Sequence, residues 1–331
     1  MSNLPPLIWT EIGRKPGKYA LNAISINREL FPDLERILIV NSKYRNEIPK
    51  KLCTVVTEED LYVGPNYRRF NEISKSWSHS HESYWQNTTK RFFVIENYMI
   101  QHNIPKSIHL ESDCVLLSTE YLTSVFQDPN WGLRYTKQAD LSGCASIMLV
   151  NKIEAIERFN QYVLENWQKP DVTDMDLLGN YVNRDIDTDY LPSGDVVNSN
   201  IVFDAGAIGQ YFLGGEARNN RFPFSDRGRI STNKGSFDPV NYRIEHKKKH
   251  IYLVDIYNPA KNIQLGCLHV HSKRIPKTYS QLIRRLIRES NSNRGRLWKL
   301  GRLDVGVVCE RVLSKIARLN PKRVNSDVRL R

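Results

Sequence analysis

The alternation of short apolar runs with helical repeats over residues 7–151 is the feature that most restricts how this chain can fold. Leu7-Ile8-Trp9 is the first apolar run, apolar residues then recur at helical spacing, and Arg36 to Val40 is the next run. Strand–helix–strand units of this kind build sheets with helices packed on their faces. The pattern therefore predicts an α/β protein with a Rossmann-type mixed sheet flanked by helices.

Further apolar runs extend the same pattern. Strands are predicted at 107–110, 114–117, 144–150, 247–253 and 265–271, and helices at about 88–103, from 153 and from 279. Residues 57–88 show no clear period and are predicted to be an irregular excursion, and residues 170–200 are acidic and turn-rich. We expect one large domain over 1–276, with halves of about 1–150 and 151–276, and a helical tail over 277–331.

Composition narrows the class of protein. Hydrophobic residues make up 40% of the 331 residues and charged residues 25%, which is typical of a folded globular chain. The five cysteines include no Cys-x-x-Cys pair, which fits a reducing compartment. The first residues lack the pattern of a signal peptide, and no apolar stretch reaches the ~18 residues of a membrane span. We expect a cytoplasmic protein.

The positive charge is concentrated at the carboxyl-terminal end. Residues 277–331 carry 15 basic and 4 acidic side chains, whereas the rest of the chain is nearly neutral. Apolar residues in this tail repeat at helical spacing opposite arginines and lysines, as in helices that lie on anionic membrane surfaces. A solvated basic face whose apolar stripe packs on the domain over 1–276 is the alternative.

Glu111-Ser112-Asp113 directly follows a predicted strand. Alternation along an extended chain places Glu111 and Asp113 on one side, so two carboxylates project together. Oxygen donors of this type suit Mg²⁺ or Mn²⁺, which keep further positions for water and phosphate. An acidic turn without a metal is the alternative for this tripeptide.

A second polar line follows the last predicted strand of the α/β region. His269, His271 and Lys273 share one face if residues 265–273 are extended. Imidazole can complete the ligand shell of Mn²⁺, and an ammonium group can neutralise a diphosphate. A hydrogen-bonded structural pair of histidines is the alternative.

Together these features resemble GT-A glycosyltransferases, which transfer a sugar from a nucleotide donor. The resemblance spans roughly residues 7–275. It is carried by the acidic motif Glu111-Ser112-Asp113, the late His269-Val-His271-Ser-Lys273, and the glycine-rich stretch Phe203 to Gly215, which is similar to a group of uncharacterised glycosyltransferases. Glu111 stands where many members have the first Asp of an Asp-x-Asp motif, which makes Asp113 the safer metal ligand.

The resemblance implies a function and a set of site residues. It implies transfer from a nucleoside-diphosphate sugar to a glycan or lipid-linked acceptor, as in polysaccharide biosynthesis, with Mn²⁺ or Mg²⁺ as cofactor. Asp113 would bind the metal directly, and His271 and His269 would supply later ligands. Glu111 would bind the metal through water or contact the ribose. Lys273 with Arg91 would offset charge on the leaving diphosphate. Thr10, Glu11 and Asn41 would hold base and ribose. Arg91 as a solvated helix residue, and Thr10 and Asn41 as turn-stabilising residues, are the alternatives.

An inverting transferase also needs a carboxylate to accept the proton of the acceptor hydroxyl. Asp204, which ends the apolar run 201–203, is the first candidate, and Asp195 and Glu216 are further ones. A capping or turn role is the alternative for Asp204. The nearby glycines allow close backbone approach, to a ligand or within a tight turn.

The basic tail by itself suggests an alternative function, which is nucleic-acid binding. A nucleic-acid-binding protein or metal-dependent nuclease would use the basic residues of 277–331 against phosphates. The nearly neutral body and the lack of a basic–aromatic recognition motif argue against this alternative, so we do not expect nucleic acid as a partner. An anionic membrane surface is the partner that we expect for the tail.

Overall fold

The computed structural model describes residues 4–74, 80–167, 172–193, 200–214 and 239–301. The strands are β1 (Leu7–Glu11), β2 (Arg36–Val40), β3 (Thr54–Thr57), β4 (Ser107–Leu110), β5 (Cys114–Leu116), β6 (Leu133–Ala139), β7 (Ser142–Val150), β8 (Thr188–Leu191), β9 (Ile201–Phe203), β10 (Tyr242–Lys247), β11 (His250–Asp255) and β12 (Asn262–His269). The helices are α1 (Lys18–Leu30), α2 (Pro65–Ser74), α3 (Ser80–Gln101), α4 (Glu120–Val125), α5 (Ile153–Asn166), α6 (Asp174–Tyr181), α7 (Ala207–Leu213) and α8 (Tyr279–Gly301).

The larger sheet has the strand order β3-β2-β1-β4-β7-β6-β8 among the described residues. Strands β3, β2, β1 and β4 are parallel, whereas β7 runs antiparallel to both β4 and β6. From β1 the chain first builds outward through β2 and β3 and later returns to place β4 on the other side. Such a reversal leaves a crevice at the carboxyl ends of the strands, where doubly wound sheets bind ligands.

A smaller sheet lies next to this crevice. It has the order β10-β11-β12-β5, with β9 parallel to β12. Only Glu111, Ser112 and Asp113 separate β4 of the larger sheet from β5 of the smaller one. The acidic motif is therefore the point at which the chain passes from one sheet to the other, and β12 pairs with β5 beside it.

Apolar side chains on both faces of the larger sheet explain its stability. Leu7, Ile8 and Trp9 of β1 are fully buried, as parallel strands covered on both faces require. Helices α2, α3 and α5 cover one face, where Phe70 stacks on Phe93 with ring centroids 4.6 Å apart. This arrangement confirms the predicted α/β class with a mixed sheet flanked by helices.

Three of the segment predictions were wrong. Residues 57–88, predicted as irregular, contain α2 and the start of α3. Thr88, where the predicted helix begins, lies inside α3, and its hydroxyl donates to the carbonyl of Trp85 at 2.9 Å. The turn-rich stretch 170–200 contains α6 and β8, and the single strand predicted at 247–253 is a hairpin of β10 and β11.

The carboxyl-terminal helix α8 begins two residues after the predicted start of the tail. Leu282, Ile283 and Leu286 form its buried stripe, whereas Gln281 and Arg284 are exposed. The described residues up to Ile287 form one compact unit, and those from Arg288 to Gly301 belong to a second. Residues 302–331 of the predicted tail lie outside the described part of the chain. Within the described residues, none of the helices combines the length and apolarity needed to cross a bilayer.

Candidate metal and nucleotide site

The acidic turn between β4 and β5 is held in place by backbone hydrogen bonds. Cys114 N–H donates to the carbonyl of Glu111 at 2.9 Å, which closes the turn. The carbonyl of Asp113 accepts from the N–H of Val270 at 2.8 Å, which ties the turn to the end of β12. The fold thereby brings the acidic motif and the late histidine motif together.

His269 faces both carboxylates of the acidic motif. Its Nε2 lies 3.2 Å from Oδ1 of Asp113 and 3.3 Å from Oε2 of Glu111. Glu111, Asp113, Cys114 and His269 each offer a ligand atom, and these four atoms all lie within 4.8 Å of one another. The cluster joins two hard oxygen donors to an imidazole and a thiol, a donor set that fits a divalent cation.

The charges of the cluster stabilise one another despite their burial. Burial opposes ionisation of Asp113, but the positive charge of His269, the hydrogen bond from it and the nearby His271 and Lys273 hold the pKa of Asp113 well below its usual range. The same pairing raises the pKa of His269 well above its usual value against the effect of burial. A bound cation would replace the imidazolium proton as the partner of the carboxylates.

His271 does not share a strand face with His269, because β12 ends at His269. The two imidazoles stack instead, with ring centroids 4.1 Å apart. Burial and the positive charge of His269 lower the pKa of His271 to about 3. The buried Nε2 of His271 makes no hydrogen bond within the described residues, so this nitrogen is also compatible with a ligand role. Lys273 adopts a positive φ of 54°, and its Nζ lies 5.8 Å from the ring centroid of Tyr19.

Arg91 is buried and not a solvated helix residue. Its guanidinium donates to Glu111 at 2.6 Å and to Asp174 at 2.5 Å, and the residue is only 7% exposed. The guanidinium of Arg91 on α3 thus links the acidic turn to the first residue of α6. This geometry orients the Glu111 carboxylate toward His269, and Arg91 approaches the site through Glu111.

Residues at the ends of β1 and β2 lie on the same edge of the sheet as the acidic turn. Glu11 is 1% exposed and accepts from Arg14 at 2.9 and 3.2 Å. The amide of Asn41 accepts from the N–H of Gly13 at 2.7 Å and donates to Glu58 at 2.7 Å. Asn41 therefore connects the loops that follow β1, β2 and β3, which is the turn-stabilising role given above as its alternative. Thr10 is half-buried beside these loops.

The geometry of Asp204 argues against its predicted role as catalytic base. Its two carboxylate oxygens accept from four backbone N–H groups at 2.7–3.0 Å, and the residue is 1% exposed. The donors are the N–H groups of Gly206, Ile208, Gly209 and His269. Asp204 therefore caps the start of α7 and positions the backbone of His269. Asp195 and Glu216, the other candidates, lie outside the described residues.

One glycine of the cluster is explained by the same contact. A Cβ at Gly209 would lie 1.7 Å from the backbone oxygen of His269, so only glycine lets α7 approach the end of β12 this closely. At this position the close approach is between α7 and β12, and not to a ligand or within a tight turn.

Three site residues had no place in the sequence-based prediction. Asp174 partners Arg91, Cys114 contributes to the donor cluster, and the Sγ of Cys144 lies 4.0 Å from Nδ1 of His269. The pattern Thr173-x-x-Asp176, a capping box in the structure, could have located the start of α6 and hence Asp174. No local pattern marks the two cysteines, because their proximity depends on strand pairing.

Comparison with known proteins gives matches among solved structures alone. No family model and no curated protein matches the chain. Mouse xyloside xylosyltransferase 1 in its apo form is 12% identical, covers 56% of this chain and 84% of its own, and has a TM-score of 0.38. The PaToxG glycosyltransferase is 9% identical, with coverages of 55% and 69% and a TM-score of 0.40. A glycosyltransferase involved in glycosylation of the major capsid of PBCV-1 is 12% identical, with coverages of 60% and 85% and a TM-score of 0.35. Similarity at this level does not place the chain in a family.

Proposed function

We propose that this protein is a metal-dependent glycosyltransferase that moves a sugar from a nucleoside-diphosphate sugar to a glycan or lipid-linked acceptor. The observation that carries the proposal is the cluster of Glu111, Asp113 and His269 at the crevice where the strand order of the larger sheet reverses. Crevices at this place in doubly wound sheets accept nucleotides, and the donor set suits a cation that accompanies a diphosphate.

Each residue of the site has a defined task in this proposal. Asp113, Glu111 and His269 would hold Mn²⁺ or Mg²⁺, with His271 stacked behind His269. A bound divalent cation supplies positive charge where the departing nucleoside diphosphate becomes more negative. Lys273 would add a further positive charge at the diphosphate.

The parallel strands provide the nucleotide half of the proposed site. Thr10 and Glu11 are the last residues of β1, and Asn41 directly follows β2. We assign to this edge the base and ribose of the donor. Arg91 is a positioning residue here, because it contacts Glu111 and Asp174. The corresponding division of the chain, a catalytic domain over 1–276 with nucleotide and acceptor halves, is part of the same proposal.

Nucleotide binding tests the proposal directly. Thermal unfolding would be followed with UDP, GDP, CDP and ADP, each with and without Mn²⁺, on the wild type, Asp113→Asn and Asp140→Asn. Asp140 has a side chain that is 91% exposed on the β6–β7 turn and is the matched carboxylate control. One nucleotide should stabilise the wild type and Asp140→Asn in the presence of Mn²⁺, by about 2.7 kcal/mol at a hundred times its Kd, and not Asp113→Asn. Absence of stabilisation by every nucleotide would refute the donor site.

A membrane-surface role for the basic tail is the second part of the proposal. Lys277 and Arg284 are exposed at the start of the tail, whereas the first apolar stripe of α8 is buried. Attraction at this part of the tail would be electrostatic, about 1 kcal/mol per basic residue near an anionic leaflet. Cosedimentation with phosphatidylserine vesicles but not phosphatidylcholine vesicles, reversed by salt, is the result expected of a protein that acts at the cytoplasmic face of a membrane.

A further inference from the structure

The thiol of Cys114 lies among the proposed metal ligands. Its Sγ belongs to the set of four donor atoms that lie within 4.8 Å of one another, together with Glu111, Asp113 and His269. The two distances from Nε2 of His269 to the carboxylate oxygens, 3.2 and 3.3 Å, are close to the edge of about 3.4 Å expected between ligands of a tetrahedral Zn²⁺ site.

Strand pairing explains why the sulfur lies there. Cys114 of β5 is directly opposite His269 of β12 in the antiparallel ladder. Side chains of directly opposite residues project from the same face of a sheet, so the thiol and the imidazole are neighbours. Asp113 precedes Cys114 in the chain and completes the group from the turn. The ladder fixes the backbone position of Cys114 and the face from which its side chain projects.

We propose that Cys114 is a sulfur ligand of this cluster, which therefore binds Zn²⁺ and Co²⁺ in a closed site made of Glu111, Asp113, Cys114 and His269. The proposal rests on the metal cluster of the proposed function and adds a property to it. On binding, the thiol loses its proton to solvent and the sulfur lone pair forms the bond to the metal. Mg²⁺ and Mn²⁺ prefer oxygen donors, so their binding does not need the sulfur.

A site with four protein ligands differs functionally from one with an open position. Structural zinc sites are closed by four protein ligands, whereas catalytic sites leave one position for substrate. Zn²⁺ in the four-ligand cluster would leave no position for a phosphate oxygen and would exclude the hard cation. A thiophilic metal bound to the same residues would then inhibit binding of the hard cation and the diphosphate.

A second sulfur beside His269 provides a matched control. The Sγ of Cys144 lies 4.0 Å from Nδ1 of His269, on the side of the ring away from the carboxylates. A metal bound at Nε2 with Glu111 and Asp113 does not reach a sulfur on the Nδ1 side. Cys144→Ser removes a buried thiol next to the same imidazole and leaves the proposed ligand set complete.

Cobalt absorption spectroscopy on the full chain tests the proposal without an activity measurement. Circular dichroism would first confirm that the wild type, Cys114→Ser and Cys144→Ser are folded. Co²⁺ chloride would then be titrated into each protein in a buffer that contains a phosphine reductant. A thiolate-to-cobalt charge-transfer band in the near ultraviolet, with intense tetrahedral bands in the visible, is expected for the wild type and Cys144→Ser. Cys114→Ser should lose the charge-transfer band, and Zn²⁺ should displace the cobalt spectrum in the other two proteins.

The opposite results are distinct from one another. Weak visible bands without a charge-transfer band in the wild type would overturn the sulfur ligand and leave the metal cluster of the proposed function intact. A wild type with no cobalt spectrum at all would contradict both. If neither Cys114→Ser nor Cys114→Ala folds, ¹¹³Cd NMR of Cys144→Ser supplies the answer, because a resonance in the range of oxygen and nitrogen ligands alone would refute the proposal and a sulfur-shifted resonance would support it.

Discussion

The Nε2 atom of His269 lies 3.2 Å from Oδ1 of Asp113, although the two residues belong to different motifs far apart in the chain. Pairing of β12 with β5 produces this contact, and the hydrogen bond from Val270 to Asp113 holds it. The contact makes His269, rather than His271, the histidine that faces both carboxylates.

Replacement of the two histidines should therefore have unequal effects. His269→Ala removes the imidazole that faces both carboxylates and should weaken Mn²⁺ binding by at least about tenfold, since loss of even an outer partner of a metal ligand commonly has an effect of this size. His271→Ala should have a smaller effect. Electron paramagnetic resonance of free Mn²⁺ measures both affinities, and a larger loss in His271→Ala would reverse the assignment.

Arg91→Met should destabilise the protein by about 3–5 kcal/mol, because it leaves Glu111 and Asp174 buried without their cation. Arg158→Met is the matched control. The side chain of Arg158 is 41% exposed and pairs with Asp185 and Asp187, so its removal should change stability by less than about 1 kcal/mol. Urea denaturation measures both free energies of unfolding. Equal losses in the two variants would show that Arg91 does not act through a buried ion pair.

Glu96 should make stability decrease as the pH rises. Burial raises the pKa of this carboxyl to about 7, while hydrogen bonds from Asn160 and Asn66 oppose the shift. The folded state therefore holds its proton more tightly than the unfolded state, whose pKa is about 4.5. The stabilising contribution is complete below pH 4.5 and is lost by pH 7, a change of about 3 kcal/mol.

Comparison of Glu96→Gln with the wild type isolates this effect. The difference in free energy of unfolding between the two proteins should change across pH 4.5–7. Glu165→Gln, an exposed position on α5, should follow the wild type at every pH. Parallel pH profiles for the wild type and Glu96→Gln would contradict the prediction.

Asp204→Asn should unfold more easily, because an amide nitrogen does not accept hydrogen bonds. Two of the four backbone N–H groups that Asp204 holds would lose their acceptor, with an expected loss of at least about 2 kcal/mol. Asp189→Asn, on the exposed side of β8, should leave the melting temperature nearly unchanged. A variant at Asp204 with wild-type stability but no glycosyl transfer would restore the residue as a catalytic base.

Local sequence patterns predicted much of the framework. Short apolar runs at β1, β2 and β4 end in polar residues, and burial on both faces explains why these strands were recognisable. The start of α3 was missed because polar residues occupy its first turns, so the predicted helix began at about residue 88 instead of Ser80. The acidic motif was recognised because two carboxylates at a strand end form a local pattern.

The roles of individual polar residues depended on contacts between distant segments. From the sequence, Arg91 could be an exposed helix residue, but in the structure α6 brings Asp174 to it. From the sequence, Asp204 is a candidate base, but in the structure it accepts from four backbone N–H groups. Cys114 reads as one more apolar residue of a strand. The role of each of these residues depends on contact with a residue from a distant segment, which the neighbouring sequence does not show.

The sequence by itself determined the α/β class and the position of the acidic motif at a strand end, because hydrophobic periodicity and strand-end chemistry are properties of neighbouring residues. Only the tertiary structure decided which histidine faces that motif, why Arg91 is buried, and that a thiol lies in the cluster. These features follow from the register between β5 and β12 and from the docking of α6 against α3. The register of these strands and the packing of these helices are determined by how whole surfaces fit together, so they cannot be derived from short stretches of sequence.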